Sequence, residues 1–305
     1  MKWTKKGRIY VPDGLKWWAK KYAFPPTPYF LNDEVIRMYV AFCDESTVGR
    51  IGFVDLLADN PAEILAVSEE PVLDIGEPGA FDENGILPTS IVKVDDKLYL
   101  YYVGYQLGMK LRYYQFEGLA ISADGGESFS RATRVPVTDR SDEELFNRTS
   151  AFVRRVDGVF QMWYVGGSEW TAVNGKLLPV YNIKYMESPD GLKWPACGRV
   201  CIDYADDDEH AFGKPFIFEH EGRSRMFYSV RTKSKGYRLG YAESVDNTKW
   251  VRKDAQIGID VAASGWDSEM IAYASLVQHK EKIYMFYNGN NCGETGFGYA
   301  ELERW

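Results

Sequence analysis

The sequence predicts an all-β protein built as a five-bladed β-propeller. Three observations carry that prediction: one strand motif is written five times, its copies are evenly spaced, and the first residues match a strand that the last repeat lacks. The clearest copy is Phe160-Gln161-Met162-Trp163-Tyr164-Val165-Gly166, and the others lie at residues 36–41, 98–104, 225–229 and 284–289. Aligned on Met38, Leu100, Met162, Met226 and Met285, they stand 62, 62, 64 and 59 residues apart. A period held that closely marks a repeat architecture. Aromatic and branched residues bounded by turn signals mark each copy as a strand.

Each repeat carries further strands around this central one. An apolar strand precedes it at residues 27–31, 88–92, 150–153, 215–218 and 274–277, joined by short polar turns of hairpin type. A third strand follows at 51–55, 118–122, 183–187, 239–243 and 297–301. Tight turns at Asp124-Gly125-Gly126, Asp190-Gly191 and Asp246-Asn247 then lead to Phe129, Trp194 and Trp250 and a fourth strand. Repeat one lacks this turn, and its fourth strand is expected near Val72-Leu73. Repeat five stops at Trp305, before a fourth strand. Trp3 and Arg8 reproduce the spacing of Phe129 with Arg134 and of Trp194 with Arg199, and Ile9-Tyr10-Val11 follows them. The N-terminal strand is therefore expected to complete the last blade and close the ring, making residues 1–305 a single domain with only short edges.

Composition narrows the function. Acidic residues number 44 against 36 basic ones, for a formal charge of −8, which argues against generic nucleic-acid binding. No apolar run approaches the roughly 18 residues of a membrane span, so no membrane partner is expected. Residues 1–6 have no apolar segment of the kind a secretory signal needs, and a cytoplasmic protein is expected. The four cysteines show neither zinc-site nor disulfide-framework spacing. No cofactor is expected; acids in the channel are compatible with an internal divalent ion, but no ligand spacing supports one. Aromatic residues make up 15%, which suits packed sheets and sugar-stacking surfaces alike.

In a four-stranded antiparallel blade, the second-to-third loops and the blade-to-blade linkers share one face. Here these are the long connections, at 105–117, 167–182, 232–238, 76–87, 139–149, 203–214 and 260–273. Long loops on a rigid scaffold are where binding and catalysis concentrate. The linkers are acidic: Asp82 and Glu83, Asp142 to Glu144, Asp206 to Glu209, then Asp267 and Glu269. Carboxylates crowded at a channel mouth have their pKa values pushed apart, which separates an acid from a base. The bland alternative is that they are solvated loop residues.

Gly265-Trp266-Asp267-Ser268-Glu269 sets a Trp beside two acids, as a sugar platform would. Arg148, Lys214 and Arg231 on the same face could hold a ligand carboxylate or phosphate, or could neutralise neighbouring acids. Trp170, Tyr105, Tyr181 and Tyr237 could stack on a sugar ring or pack the loops. His210 is the one histidine on that face, beside Glu209, which excludes a three-His metal site.

The recurring Ser188-Pro189-Asp190-Gly191-Leu192-Lys193-Trp194, Ser122-Ala123-Asp124-Gly125-Gly126 and the Met-aromatic-Tyr strands resemble the five-bladed glycosidase-like propellers: arabinanases, xylosidases, fructosidases and mannoside phosphorylases. The resemblance covers essentially the whole chain. It implies three acids at the channel mouth, on the first, third and fourth blades: a base or nucleophile, a pKa-tuning Asp and a general-acid Glu. The blade-one lead-in, Tyr22-Ala23-Phe24-Pro25-Pro26-Thr27, has no acid. Rotating the set by one blade assigns Asp82 as base or nucleophile, Glu209 as tuner, and Glu269 or Asp267 as general acid. The expectation is a carbohydrate-active enzyme, of glycoside hydrolase or phosphorylase type, that cleaves or transfers a glycosidic bond with paired carboxylates on a small saccharide or sugar conjugate, an anionic one being suggested by the cations. The alternative is a non-hydrolytic sugar-binding propeller, or an enzyme of nucleotide-sugar or secondary metabolism that reuses the cup.

Overall fold

The computed structural model describes residues 1–305 apart from Asn174. Its first strand, β1 (Lys2–Tyr10), pairs antiparallel with its last, β20 (Phe297–Arg304). Together with β18 (Ala272–His279) and β19 (Lys282–Asn288) they form one sheet in the order β1-β20-β19-β18. The expected partnership of the two ends of the chain is thus present. A second sheet runs β2 (Lys21–Phe30), β3 (Val35–Cys43), β4 (Gly49–Leu57), β5 (Asn60–Val67).

The third sheet has twelve strands in three antiparallel runs. These are β6 (Ile86–Val94) with β7 (Lys97–Leu107), β8 (Tyr113–Ser122) and β9 (Ser130–Arg131); β10 (Asn147–Val156) with β11 (Val159–Val173), β12 (Lys176–Ser188) and β13 (Arg199–Ile202); and β14 (Glu209–His220) with β15 (Arg223–Thr232), β16 (Arg238–Ser244) and β17 (Val251–Arg252). Short parallel contacts, Asn147 and Arg148 with Gln115 and Phe116, and Tyr181 with Ala211, join one run to the next.

The five repeated motifs are β3, β7, β11, β15 and β19, each flanked by strands on both edges. Their alignment residues Met38, Leu100, Met162, Met226 and Met285 are completely buried. Hydrophobic cores lie between successive antiparallel groups, and Val40 and Phe42 of β3 share a core with Phe286 of β19 and Tyr299 of β20.

The turn motif has a mechanical basis. Asp190 accepts from the backbone N–H of Leu192 and Lys193, and Asp246 from those of Thr248 and Lys249. Such side-chain-to-backbone bonds shape Asx turns, and they hold both carboxyls below the usual carboxylate range. Neighbouring groups grip these turns: Tyr39 donates to the Gly126 carbonyl and Tyr101 to that of Gly191, both at 2.9 Å.

Two expectations need correction. The fourth strand of the first group is β5, reached by a tight turn at Ala58-Asp59, while Leu73 makes only an isolated bridge to Ile51. The stretch 167–182 is not an open loop either. β11 and β12 continue as a ladder, pairing Glu169 with Val180 through to Val173 with Lys176, because both sides are rich in residues that favour strands.

A charged clamp recurs in four of the groups. The tyrosine two places after the aligned residue donates its hydroxyl to a carboxylate, and a cation faces that carboxylate. Tyr102 donates to Asp82 at 2.9 Å, where Arg131 Nε stands at 2.7 Å. Tyr164 donates to Glu144 at 2.8 Å, with Arg148 at 2.8 Å and Lys184 at 2.7 Å. Tyr228 donates to Asp254 at 2.7 Å beside Arg252, which also grips Glu209 through two bonds of 2.7 Å. Tyr287 donates to Asp267 at 3.0 Å, with Lys5 at 2.6 Å. The first group has Val40 in place of the tyrosine.

The glycine that ends the motif belongs to this arrangement. A Cβ on Gly104 would collide with Phe81 and Asp82, and one on Gly166 with Glu144. Removing one member of such a buried set leaves the others uncompensated. Asp82→Ala is expected to cost about 3 kcal/mol, read as a lower denaturant midpoint. Exposed Asp142→Ala is the control and should change stability by less than about 0.5 kcal/mol; equal effects from the two substitutions would contradict the clamp.

Candidate functional site

The first strands of successive groups surround a small, partly enclosed cavity. Phe24 and Pro25 of β2, Leu87 and Thr89 of β6, Ser150 of β10, Lys214 of β14 and Tyr273 of β18 line it. Tyr105, Gln115 and Tyr181 add to the wall from second and third strands, and Tyr237 from the connection just before β16. Each first strand breaks register at this level, between Phe24 and Thr27, Pro88 and Ser90, Thr149 and Phe152, Gly213 and Phe216, and Ala272 and Ser275. Bulges of this kind re-aim a side chain. Ser150, Lys214 and Tyr273 take φ values of 55°, 21° and 60°, a costly region for residues other than glycine that clusters at functional sites.

The wall is rich in phenols. The Tyr181 and Tyr237 hydroxyls lie 3.3 Å apart, and the Tyr237 and Tyr273 rings are 5.7 Å apart. Burial raises all of these hydroxyl pKa values, so they remain neutral donors. Cys292 sits against this cluster, its thiol also pushed up by burial and so kept protonated at neutral pH. The guanidinium of Arg231 lies 5.7 Å over the Tyr237 ring and has no hydrogen bond or ion pair among the described residues.

Behind Thr89 lies Glu117, completely buried on β8. Its carboxyl accepts the Thr89 hydroxyl, the Thr149 hydroxyl at 3.2 Å and the Ala151 N–H at 3.3 Å. Burial pushes Glu117 up to about 7, against the opposing pull of these hydrogen bonds. Across the cavity, Lys214 is 2% exposed and burial pulls its ammonium down to about 7. Its Nζ donates to the Pro26 carbonyl at 2.9 Å and to Ser275 Oγ at 2.7 Å.

The four acids expected to share this hollow are not gathered around it. Asp82 and Asp267 are buried in their clamps, Glu209 is held by Arg252 and the Ala205 N–H, and none of them lines the cavity. Glu269 also lies outside the wall, with an exposed side chain and its backbone N–H bonded to Asn290. The physical reason is solvation: for Asp82, Glu209 and Asp267 a cation of the same group satisfies the carboxylate more fully than an open channel would.

Other expectations shift similarly. Arg148 is bound to Glu144 and to the carbonyls of Asp139 and Pro195. Trp266 stacks on Tyr287 at 5.1 Å and packs against Gly289, as core rather than platform. Trp170 packs at a tilt against Phe146, ring centroids 4.5 Å apart, outside the cavity wall. His210 is buried, with Nδ1 3.2 Å from the Pro179 carbonyl and Nε2 without a partner among the described residues. Of the expected ligand-binding residues, Tyr105, Tyr181, Lys214 and Tyr237 line the cavity and Arg231 stands beside it.

Glu117, Thr89, Ser150 and Tyr273 were not anticipated. The available signal was positional, since Ser150, Lys214 and Tyr273 each stand twelve residues before the aligned methionine. Among the described residues, no group of three or more His, Cys, Asp or Glu side chains is arranged to hold a metal ion.

These features define an all-β fold of the kind seen in glycosidase-like β-propellers, and solved structures of glycoside hydrolases superpose on the chain. One is a thermostable family-43 glycoside hydrolase, with a TM-score of 0.67 and 16% identity over 96% of this chain and 90% of that one. Another comes from the GH130 family of mannoside phosphorylases, which contains glycoside hydrolases that target β-1,2 mannosidic linkages in Candida mannan; its TM-score is 0.70, with 14% identity over 98% and 93% of the two chains. No family model matches the chain. It is 33% identical, over 99% of its length and 100% of the relative's, to the Uncharacterized protein Rv1502 of Mycobacterium tuberculosis (strain ATCC 25618 / H37Rv), and it belongs to the family of that protein.

Glu117 makes a signed prediction. Its folded pKa lies above its ordinary 4.5, so between pH 4.5 and 7 the native state binds more protons than the unfolded chain, and the contribution to stability falls as pH rises. Glu117→Gln should therefore flatten that stretch of the stability profile, whose slope from one such group approaches about 1.4 kcal/mol per pH unit. Chemical denaturation from pH 4.5 to 8 tests it, and parallel curves for the two proteins would refute the assignment.

Proposed function

We propose that residues 1–305 form one five-bladed propeller closed by β1, and that the chain is a carbohydrate-active enzyme of the glycoside hydrolase or phosphorylase type, working at the central cavity. The pairing of β1 with β20 and the core shared by β3 and β19 support the ring. The observation that carries the functional reading is the cavity itself: bulged first strands aim Thr89, Ser150, Lys214 and Tyr273 into a space walled by phenols. Aromatic faces and hydroxyl donors suit a saccharide, which presents apolar ring faces and many hydroxyls.

The chemistry departs from the paired-carboxylate scheme. Among the described residues, Glu117 is the one carboxyl hydrogen-bonded to a side chain of the wall. Hydrolysis by the usual routes needs two carboxyls, about 5–5.5 Å or 6.5–9.5 Å apart. With one, the workable role is proton supply. In its protonated form the Glu117 carboxyl gives its proton to Thr89 Oγ1, reversing the bond in which it otherwise accepts, as that hydroxyl gives its own proton to the leaving oxygen. Water or an anionic acceptor takes the sugar carbon, and the proton that an attacking water sheds returns to the Glu117 carboxylate by way of solvent. A second reading, a non-hydrolytic sugar-binding propeller, is favoured by the clamped state of Asp82, Glu209 and Asp267.

Turnover and binding separate the two readings. Against a panel of mono- and disaccharides with and without phosphate, Glu117→Gln and Thr89→Val should each lower kcat by about 10²–10⁴, with binding by calorimetry nearly unchanged. Saccharide binding without turnover by the wild type would establish the second reading instead, and failure to bind any saccharide would end both.

A further inference from the structure

Lys214 is a buried amine with no counter-ion among the described residues. Its side chain is 2% exposed, and it forms no ion pair among the described residues. The two acceptors on Nζ, the Pro26 carbonyl and Ser275 Oγ, are both neutral. An ammonium has three N–H donors, so one remains without a protein acceptor, on a residue that lines the cavity. The strand cations facing linker acids at the clamps show how this chain treats a charge that has a protein partner.

The surroundings do not supply the missing charge. Glu117 on β8 lies behind Thr89 and is bonded there. Arg231 on β15 has the same sign as Lys214 and is itself without an acid among the described residues. The remaining titratable neighbours are the phenols Tyr105, Tyr181, Tyr237 and Tyr273 and the Cys292 thiol, all neutral because burial raises them. Isolated charges in low dielectric are strongly disfavoured unless paired. The backbone at Lys214 is nonetheless held at a φ of 21° to present this side chain, and such strain persists only where the surrounding structure enforces it.

We infer that the ligand of the cavity carries a carboxylate or phosphate group, that this group is the counter-ion of Lys214 with Arg231 assisting, and that it binds together with a proton. The inference rests on the carbohydrate reading above for the rest of the ligand. Above pH 7 the empty site holds Lys214 largely as the neutral amine. An arriving anion favours the charged form and so draws a proton from solvent. Below that pH the ammonium is already present, and uptake fades.

Calorimetry with glucuronate, inorganic phosphate and glucose, at pH 8 in buffers of different ionisation enthalpy, tests this on the intact chain. The expected result is binding of glucuronate or phosphate at least tenfold tighter than glucose, with uptake approaching one proton per anion at pH 8 and little at pH 5.5. Which of the two anions is preferred identifies the group. Lys214→Met should abolish both the preference and the uptake. Lys214→Arg, whose charge is permanent, should keep the preference and lose the uptake; it also serves if the methionine variant fails to fold. Equal binding of glucuronate and glucose without buffer-dependent heat would overturn the inference and leave the carbohydrate reading standing. Phosphate binding with proton uptake while neither sugar binds would uphold the anion seat and remove the carbohydrate reading. Absence of binding by both anions to folded wild type would overturn the inference outright.

Discussion

The architecture depends on a charged clamp that joins a phenol, a carboxylate and a cation. Tyr102, Tyr164, Tyr228 and Tyr287 stand on central strands with both edges hydrogen-bonded, so their rings are buried and their hydroxyls need an acceptor. An acid brought by a linker, or by the segment after a fourth strand, supplies it. A buried carboxylate in turn demands a cation, and Arg131, Arg148, Arg252 and Lys5 meet that demand. Each clamp thereby ties a central strand to connecting or outer segments that are distant in sequence. In the last group the cation comes from β1, so this clamp also binds the two ends of the chain together.

Committing these acids to structure leaves the cavity with another character. Its wall offers neutral phenols, two hydroxyl side chains, a buried lysine and, one residue back, a buried glutamate. Burial drives Glu117 and Lys214 toward the same pKa, about 7, from opposite sides. Both are thus near the point where either protonation state is accessible, which is where acid–base groups operate best. The solved propellers that superpose on this chain share its framework, but fold alone does not determine the chemistry of a site.

The framework was legible because packing in a sheet is periodic. The spacing of Met38, Leu100, Met162, Met226 and Met285 reflects one buried position per group, and the Ser-x-Asp turns reflect local backbone bonds that need no tertiary context. The match of Trp3 and Arg8 to fourth-strand spacing located β1 beside β20. Elements without such a signature were placed less well. Val72-Leu73 looked like a strand because it is apolar, yet β5 took the edge through a turn at Ala58-Asp59 that carries no turn glycine.

The site was harder to read. Asp82, Glu209 and Asp267 stand out in the sequence as linker acids, but their role depends on which cations fold against them. Arg131, Arg252 and Lys5 lie 49, 43 and 262 residues away in sequence, and no local pattern discloses such pairings. Glu117 gave no warning, because it stands as a single acid at the end of the connection 105–117 rather than in an acidic linker. Periodicity and local turn chemistry are written in neighbouring residues, so strand identity, repeat number and the outer edges could be taken from the chain as a string. Whether an acid becomes a tether or a reactant depends on its solvation and its partners in space, and these exist only after distant strands have come together.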